Sequence, residues 1–460
     1  MATIHRGSDS TIRDSFGSKM GIIAAAAGSA VGLGNIWRFP YIVGENGGGA
    51  FLLIYIGFVL LIGVPVMLAE FTIGRKAQLN AFGAFRKLAP KSLWFLIGVM
   101  GIIAAFTILS FYSTVSGWTL QYLIEASKTG FVGSTNESLQ SDFNSFMANG
   151  WLPVLWQLLF MGLTAFVVFS GVKNGIEKYT KFLMPLLLVI IIVLGINSLL
   201  LPGGAKGIEF LFKPDFSKIT MSVVLEALGQ AFFSLSIGMG VLITYGSYIQ
   251  KSDNLGNTAI SVSLTDTLIA ILAGVAIFPA VFAFNVNPGE GPGLVFITLP
   301  LVFEQMAGGY FFAILFFLLL AIAALTSTIS VLEVVVAYLV EEKNMTRLKA
   351  TAISAVSISL VGIVCTLSLG PLKDELVVFG MSFFDLMDYV SANILLPFGG
   401  LLIVVFAGWV LGRKQLFAEI SNEGTLKATL FNFFLFVVKY LAPIAIAMVF
   451  INQLNLFDIA

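Results

Sequence analysis

Cysteine and histidine are almost missing, with one of each, Cys365 and His5, in 460 residues. A lone thiol cannot close an internal disulfide, and one imidazole cannot build a Cys/His centre for zinc or haem. Charge is scarce too: 11% of residues, against roughly a quarter in an ordinary soluble domain, with 25 Lys and Arg balancing 25 Asp and Glu. A formal net charge of zero gives no electrostatic reason to expect nucleic acid or an acidic partner. The first twenty residues are polar and charged, so no cleavable signal peptide is expected. What is there instead is apolar surface, 58% of residues, more than a soluble fold could hide.

A membrane-crossing helix takes about 20 mostly apolar residues. Eleven runs of that kind occur, near 19–43, 50–74, 93–126, 151–171, 178–201, 221–250, 258–284, 310–340, 348–370, 376–411 and 431–450, here called segments 1 to 11. The expected fold is therefore an all-α membrane protein with eleven transmembrane helices in a single domain over 1–460. Lys and Arg are retained on the cytoplasmic side. With the N-terminus inside, eighteen of them fall on the inner side and five on the outer, leaving Arg38 and Lys439 at membrane depth. That puts residues 1–18 in the cytoplasm and the C-terminus outside, in a multi-pass cell-membrane protein.

Segment 1 carries "GSAVGLGNIWRFP" from Gly28 to Pro40, three glycines, an Asn and an Arg inside an apolar run. Segment 6 has a counterpart, "FSLSIGMG" from Phe233 to Gly240. Glycines in membrane helices commonly serve close packing, but two such stretches five segments apart suggest paired interruptions between structural repeats. Five is odd, so the second repeat would enter from the opposite side: two inverted five-helix repeats, 19–201 and 221–411, with an eleventh helix at 431–456. An interruption in lipid strands N–H and C=O groups at several kcal/mol each unless something polar engages them. Carbonyls suit a hard cation such as sodium, and N–H groups at a half-helix N-terminus suit a carboxylate.

These residues name a family. "GSAVGLGNIWRFPY" with "ENGGGAF" (45–51), "GVPVMLAEFTIGR" (63–75), "GQAFFSLSIGMG" (229–240), "ITYGSY" (243–248), "ALTSTIS" (324–330) and "DLMDY" (385–389) strongly resemble the neurotransmitter:sodium symporters, especially their bacterial amino-acid branch with the leucine-transporter fold. The resemblance implies two sodium sites: one from Ala30, Asn35, Ser234 and Asp266, the other from Gly28, Val31, Ala323, Thr326 and Ser327. It implies a substrate carboxylate on the N–H groups of Leu33 and Gly34 and the hydroxyl of Tyr112. The amino group would meet Ala30, Phe233, Ser236 and Ser327, and the side-chain pocket Ile108, Phe233, Met239 and Val331, with Ser29 nearby. Gly34, where amine carriers place Asp, implies a substrate that brings its own carboxylate. Asp266, where relatives usually have Asn, and Ala270, where chloride-dependent members have a serine, imply transport without chloride. Gates are implied at Arg38 with Asp388, and at Arg13 with Glu341 and Tyr248 between them; Glu70 is implied to hold the broken sixth segment.

The expected function is sodium-coupled import of hydrophobic L-amino acids by alternating access, with "GMG" (238–240) able to admit aromatic ones. The expected partners are the amino acid, two sodium ions and the bilayer, in a monomer or weak homodimer. Proton coupling through Asp266, or an amino-acid sensor without transport, are the alternatives. An enzyme is not expected, since Glu70, Asp266 and Asp388 lack catalytic spacing. Segments 127–150 and 411–430 are expected to be an outer and an inner loop.

Overall fold

The computed structural model describes residues 15–128, 130–284 and 294–454. Among them the structure is helical apart from one short hairpin, Val377–Val378 paired with Met381–Ser382. Nine helices are long and apolar enough to cross a bilayer, the longest of them Phe95–Lys128, Gly309–Glu342 and Phe383–Ile420. A tenth crossing is a bent pair, Lys19–Ala30 and Gly34–Glu45, whose axes differ by 51°. Segment 6 consists of two pieces, Met221–Ser234 and Val241–Gly246, each too short to span alone.

Segment 1 sits in the middle of the bundle. Its Lys19–Ala30 half packs on Gly309–Glu342, Leu255–Ala283 and Val172–Leu200, and Ala25, Ala26, Ala27 and Ala30 are buried there. Small residues let these backbones approach, because lipid supplies little hydrophobic drive between helices. Gly117 and Gly362 do the same farther out: a Cβ on either would lie under 3 Å from Gln157.

Three boundaries differ from the sequence expectation. The stretch 127–150 is not simply loop but holds the helix Asn136–Asn149, started by the reciprocal Thr135–Ser138 capping box. The inner loop holds Gly412–Ile420. Both are largely polar and shorter than a span, so a search for 20-residue apolar runs passes over them. Segment 10 starts at Phe383 rather than 376, because the hairpin turn there puts Phe379 and Gly380 at φ 54° and 79°.

Candidate functional site

The helix Lys19–Ala30 stops where Val31 turns extended, at φ −73° and ψ 104°. Gly32 and Leu33 bridge to Gly34, where the chain restarts in a π-helical turn, Gly34–Arg38. Asn35 closes the gap, its Oδ1 accepting the Gly32 N–H at 3.2 Å. The sixth segment unwinds from Leu235 to Gly240, with Ser236, Gly238 and Gly240 at φ 56°, 86° and 75°. Glycine carries two of those three left-handed positions without steric cost. The buried Glu70 accepts the Gly238 N–H at 2.8 Å, as the resemblance implied.

The two unwound stretches face each other. Ser236 Oγ donates to the Ser29 carbonyl at 3.0 Å, and a Cβ on Gly34 would lie 3.0 Å from Phe233 Cε1. Around the junction lies a fully buried polar cluster. Asn35 Nδ2 donates to Asp266 Oδ1 at 2.8 Å and to Ser234 Oγ at 3.2 Å, and Ser234 Oγ donates to Asp266 Oδ2 at 2.7 Å. Tyr55 adds its hydroxyl, 3.2 Å from Ser234 and 3.4 Å from Asp266. Three of the four residues expected at the first sodium site are thus in direct contact, and the fourth, Ala30, lines a small cavity together with Ser234. At the second set, Thr326 Oγ1 lies 3.0 Å from the Ala323 carbonyl and 3.4 Å from that of Val31, with Gly28 against Thr326 Cβ. Ser327 turns elsewhere, its hydroxyl 3.5 Å from the Ser29 carbonyl.

Counting Ser234, which the first sodium site shares with the substrate, eleven of the twelve residues expected around the substrate line one cavity of about 30 Å³ between the two breaks, including Ile108, Met239, Val331 and Ser29. The twelfth, Leu33, gives its N–H to Tyr112 Oη at 2.8 Å, and Gly32 takes its place in the wall. The cavity is contracted. A single water needs about 10–15 Å³ by this measure, so an amino acid fits only if Tyr112 leaves the Leu33 amide and the walls part.

The sequence profile of the "Sodium:neurotransmitter symporter family" matches residues 13–142 and 131–459. The chain belongs to that family. It is 42% identical over 441 residues to YhdH, an uncharacterized sodium-dependent transporter of Bacillus subtilis, covering 96% of this chain and 98% of that one. A sodium-dependent transporter of Haemophilus influenzae is 39% identical over 452 residues, again 96% and 98% of the two chains. The crystal structure of MhsT in complex with L-phenylalanine superposes with a TM-score of 0.88 at 46% identity, covering 96% of this chain and all of that one. A member of this family is a membrane transporter that uses sodium, not an enzyme.

Of the symporter's expected gates, the outer pair is described in full. Arg38 and Asp388 are electrostatic neighbours but make no ion pair within 4 Å. Arg38 lies over the Phe233 ring instead, 4.5 Å from its centroid, with Nε unpartnered among the described residues. Beside it opens a cavity of about 260 Å³ bordered by Phe233, Glu226 and Asn393, so cation–π contact replaces the expected salt bridge. At the opposite end, Arg13 falls outside the described residues. Glu341 accepts from the Asn80 backbone at 2.7 Å and side chain at 3.0 Å.

Glu333, a buried acid not among the expected gate residues, accepts from the Tyr248 hydroxyl at 2.7 Å. Arg347 holds the same buried carboxylate at 3.2 and 2.5 Å and donates to the Val168 carbonyl at 2.8 Å. An acid inside an apolar run, fourteen residues before an Arg at a span end, was the available signal. Arg75, counted as a loop cation, is 1% exposed and held by Glu419 at 2.8 Å, Asn422 at 2.8 Å and the Asp253 carbonyl at 2.5 Å. Tyr55 carries no signal of its own in sequence.

Proposed function

We propose that the protein is a sodium-coupled symporter that imports hydrophobic L-amino acids, aromatic ones included, by alternating access and without chloride. The observation that carries this reading is the Asn35–Ser234–Asp266 cluster at the meeting point of the two unwound stretches, beside a cavity whose side-chain end is walled by Ile108, Met239 and Val331. Freed carbonyls from Ala30 and Val31 and the Asp266 carboxylate supply oxygens for a hard cation. The Gly34 N–H and the Leu33 N–H, once Tyr112 releases it, supply donors for a carboxylate. MhsT, at 46% identity, was solved with L-phenylalanine, which supports an aromatic substrate here.

The sodium sites follow the same logic: Ala30, Asn35, Ser234 and Asp266 for one ion, Gly28, Val31, Ala323, Thr326 and Ser327 for the other. Asp266 brings a carboxylate of the protein's own to the site, held by Tyr55, Ser234 and Asn35, and Ala270 one turn on offers no hydroxyl to an anion. An internal carboxylate compensates the sodium charge, so no chloride is needed. Residues 19–201 and 221–411 act as inverted repeats, in a cell-membrane protein whose Arg13 end is cytoplasmic and which works as a monomer or weak homodimer.

The test is uptake of labelled L-phenylalanine into proteoliposomes. Uptake should vanish when external sodium is replaced by choline at fixed pH, persist when chloride is replaced by gluconate, and be competed by hydrophobic but not charged amino acids. Uptake that survives in choline and follows a proton gradient would replace this reading with proton coupling. Binding without accumulation would make the protein a sensor.

A further inference from the structure

Lys439 has no assigned work. It lies nine residues into the last helix, Phe431–Gln453, and among the described residues no carboxylate comes within 4 Å of its ammonium. A lysine at membrane depth is costly unless its charge is met. Here it is met by π faces: Nζ lies 4.3 Å from the Trp409 ring centroid and 5.9 Å from that of Tyr440. The two helices are shaped for this contact. Both change to π-helical turns at the same level, Phe406–Leu411 and Val437–Leu441, and the indole N–H of Trp409 donates to the Lys439 carbonyl at 3.2 Å. Gly408 lets the backbones close, since a Cβ there would sit 3.1 Å from Lys439 Cα.

Side chains on a helix lean toward its N-terminus, so Lys439 points back toward the Phe431 end. A second cation waits there. Arg413 donates to Asn432 Oδ1 at 3.0 Å and lies 5.7 Å from the Phe431 ring centroid. Asn432 and Lys439 are seven residues apart, about 10 Å along one helix face. Trp409, Phe436 and Tyr440 are about half exposed and pack on one another along the same seam, with ring centroids 5.7 and 5.9 Å apart.

We propose that Lys439, Trp409 and Arg413 form a binding site for the head group of one anionic phospholipid, in the leaflet on the Arg413 side. The lipid phosphate neutralises Lys439, and an acyl chain lies along Trp409, Phe436 and Tyr440. Arg413 at the rim selects an anionic head group, because the quaternary ammonium of a choline lipid would meet it with like charge. A soluble phosphate has no path to an ammonium that opens onto lipid.

The experiment is native mass spectrometry of the full-length protein in detergent, equilibrated with phosphatidylglycerol and phosphatidylcholine of matched chains. The wild type should retain one phosphatidylglycerol in clear preference. Lys439→Gln should cut that preference about tenfold, equivalent to about 1.4 kcal/mol, while Lys439→Arg keeps it. Trp409→Leu, which leaves both charges in place, should weaken it by less and serves if Lys439→Gln does not fold. Equal retention of the two lipids, or an undiminished preference in Lys439→Gln and Trp409→Leu, overturns the proposal. Displacement of the lipid by millimolar glycerol phosphate also overturns it, in favour of a soluble-phosphate site.

Discussion

Gly34 works at a close contact between the two breaks, with Phe233 Cε1 and Cδ1 at 3.0 and 3.3 Å from where its Cβ would stand. The same ring carries Arg38, 4.5 Å from its centroid. A methyl group at Gly34 therefore moves the ring and the cation together. Overpacking of this kind costs about 1 kcal/mol or more, roughly fivefold in affinity. We expect Gly34→Ala to raise the KM for phenylalanine by about that factor at saturating sodium, and an unchanged KM would remove Phe233 from the binding surface. Thr326 poses a sharper choice. Its hydroxyl lies near three carbonyls, Ile322, Ala323 and Val31, and can donate to one. If it only bonds back along its own helix, Thr326→Ala changes stability slightly and sodium affinity not at all. As a ligand it should cost about tenfold in the sodium concentration for half-maximal uptake, and Thr326→Ser should restore most of it.

At the scale of the element, the sixth segment stays unwound because its neighbours occupy the groups a helix would pair. Glu70 takes the Gly238 N–H, and at φ 86° a Cβ on Gly238 would stand 2.5 Å from the Leu396 carbonyl. Glu70→Ala leaves that N–H buried and unpaired, a loss of about 1–3 kcal/mol. It should lower the melting temperature in detergent and reduce uptake, whereas Glu70→Gln keeps an acceptor and should stay near wild type; equal loss in both would assign Glu70 a charge-dependent role. Both breaks were legible in sequence because glycine and asparagine stand out in an apolar run. The Asn35–Ser234–Asp266 contact followed from the family resemblance rather than from spacing, since the three come from segments far apart in the chain. Tyr55 joins them from segment 2, where a tyrosine in "LIYIGF" looks like any lipid-facing aromatic. The helices Asn136–Asn149 and Gly412–Ile420 escaped because they are shorter and more polar than a span.

Across the whole molecule the two ends of the transport path differ. At the Arg38 end the expected pair is open and a 260 Å³ cavity stands beside it. At the Arg347 end Phe16 packs on Tyr245 and Tyr248 with ring centroids 5.6 and 6.0 Å apart, and Glu333 ties Tyr248 to Arg347 and, through Arg347, to Val168. Among the described residues the Glu333 ties at the Arg347 end have no counterpart between Arg38 and Asp388, so we expect them to favour closure of the Arg347 end. Opening the other way must break the Glu333 ties, so their strength sets the balance between states. Arg347→Gln leaves Glu333 buried with Tyr248 alone, and removing one partner of a buried pair costs about 3–5 kcal/mol. Part of that cost appears as a population shift, tenfold for each 1.4 kcal/mol. We expect Arg347→Gln to weaken sodium-dependent phenylalanine binding at least tenfold, and Glu333→Gln/Arg347→Gln to recover much of it because no bare charge remains inside. Binding curves for the two single variants and the double variant check this. Additive losses would mean that Glu333 and Arg347 act independently and that closure of that end rests elsewhere.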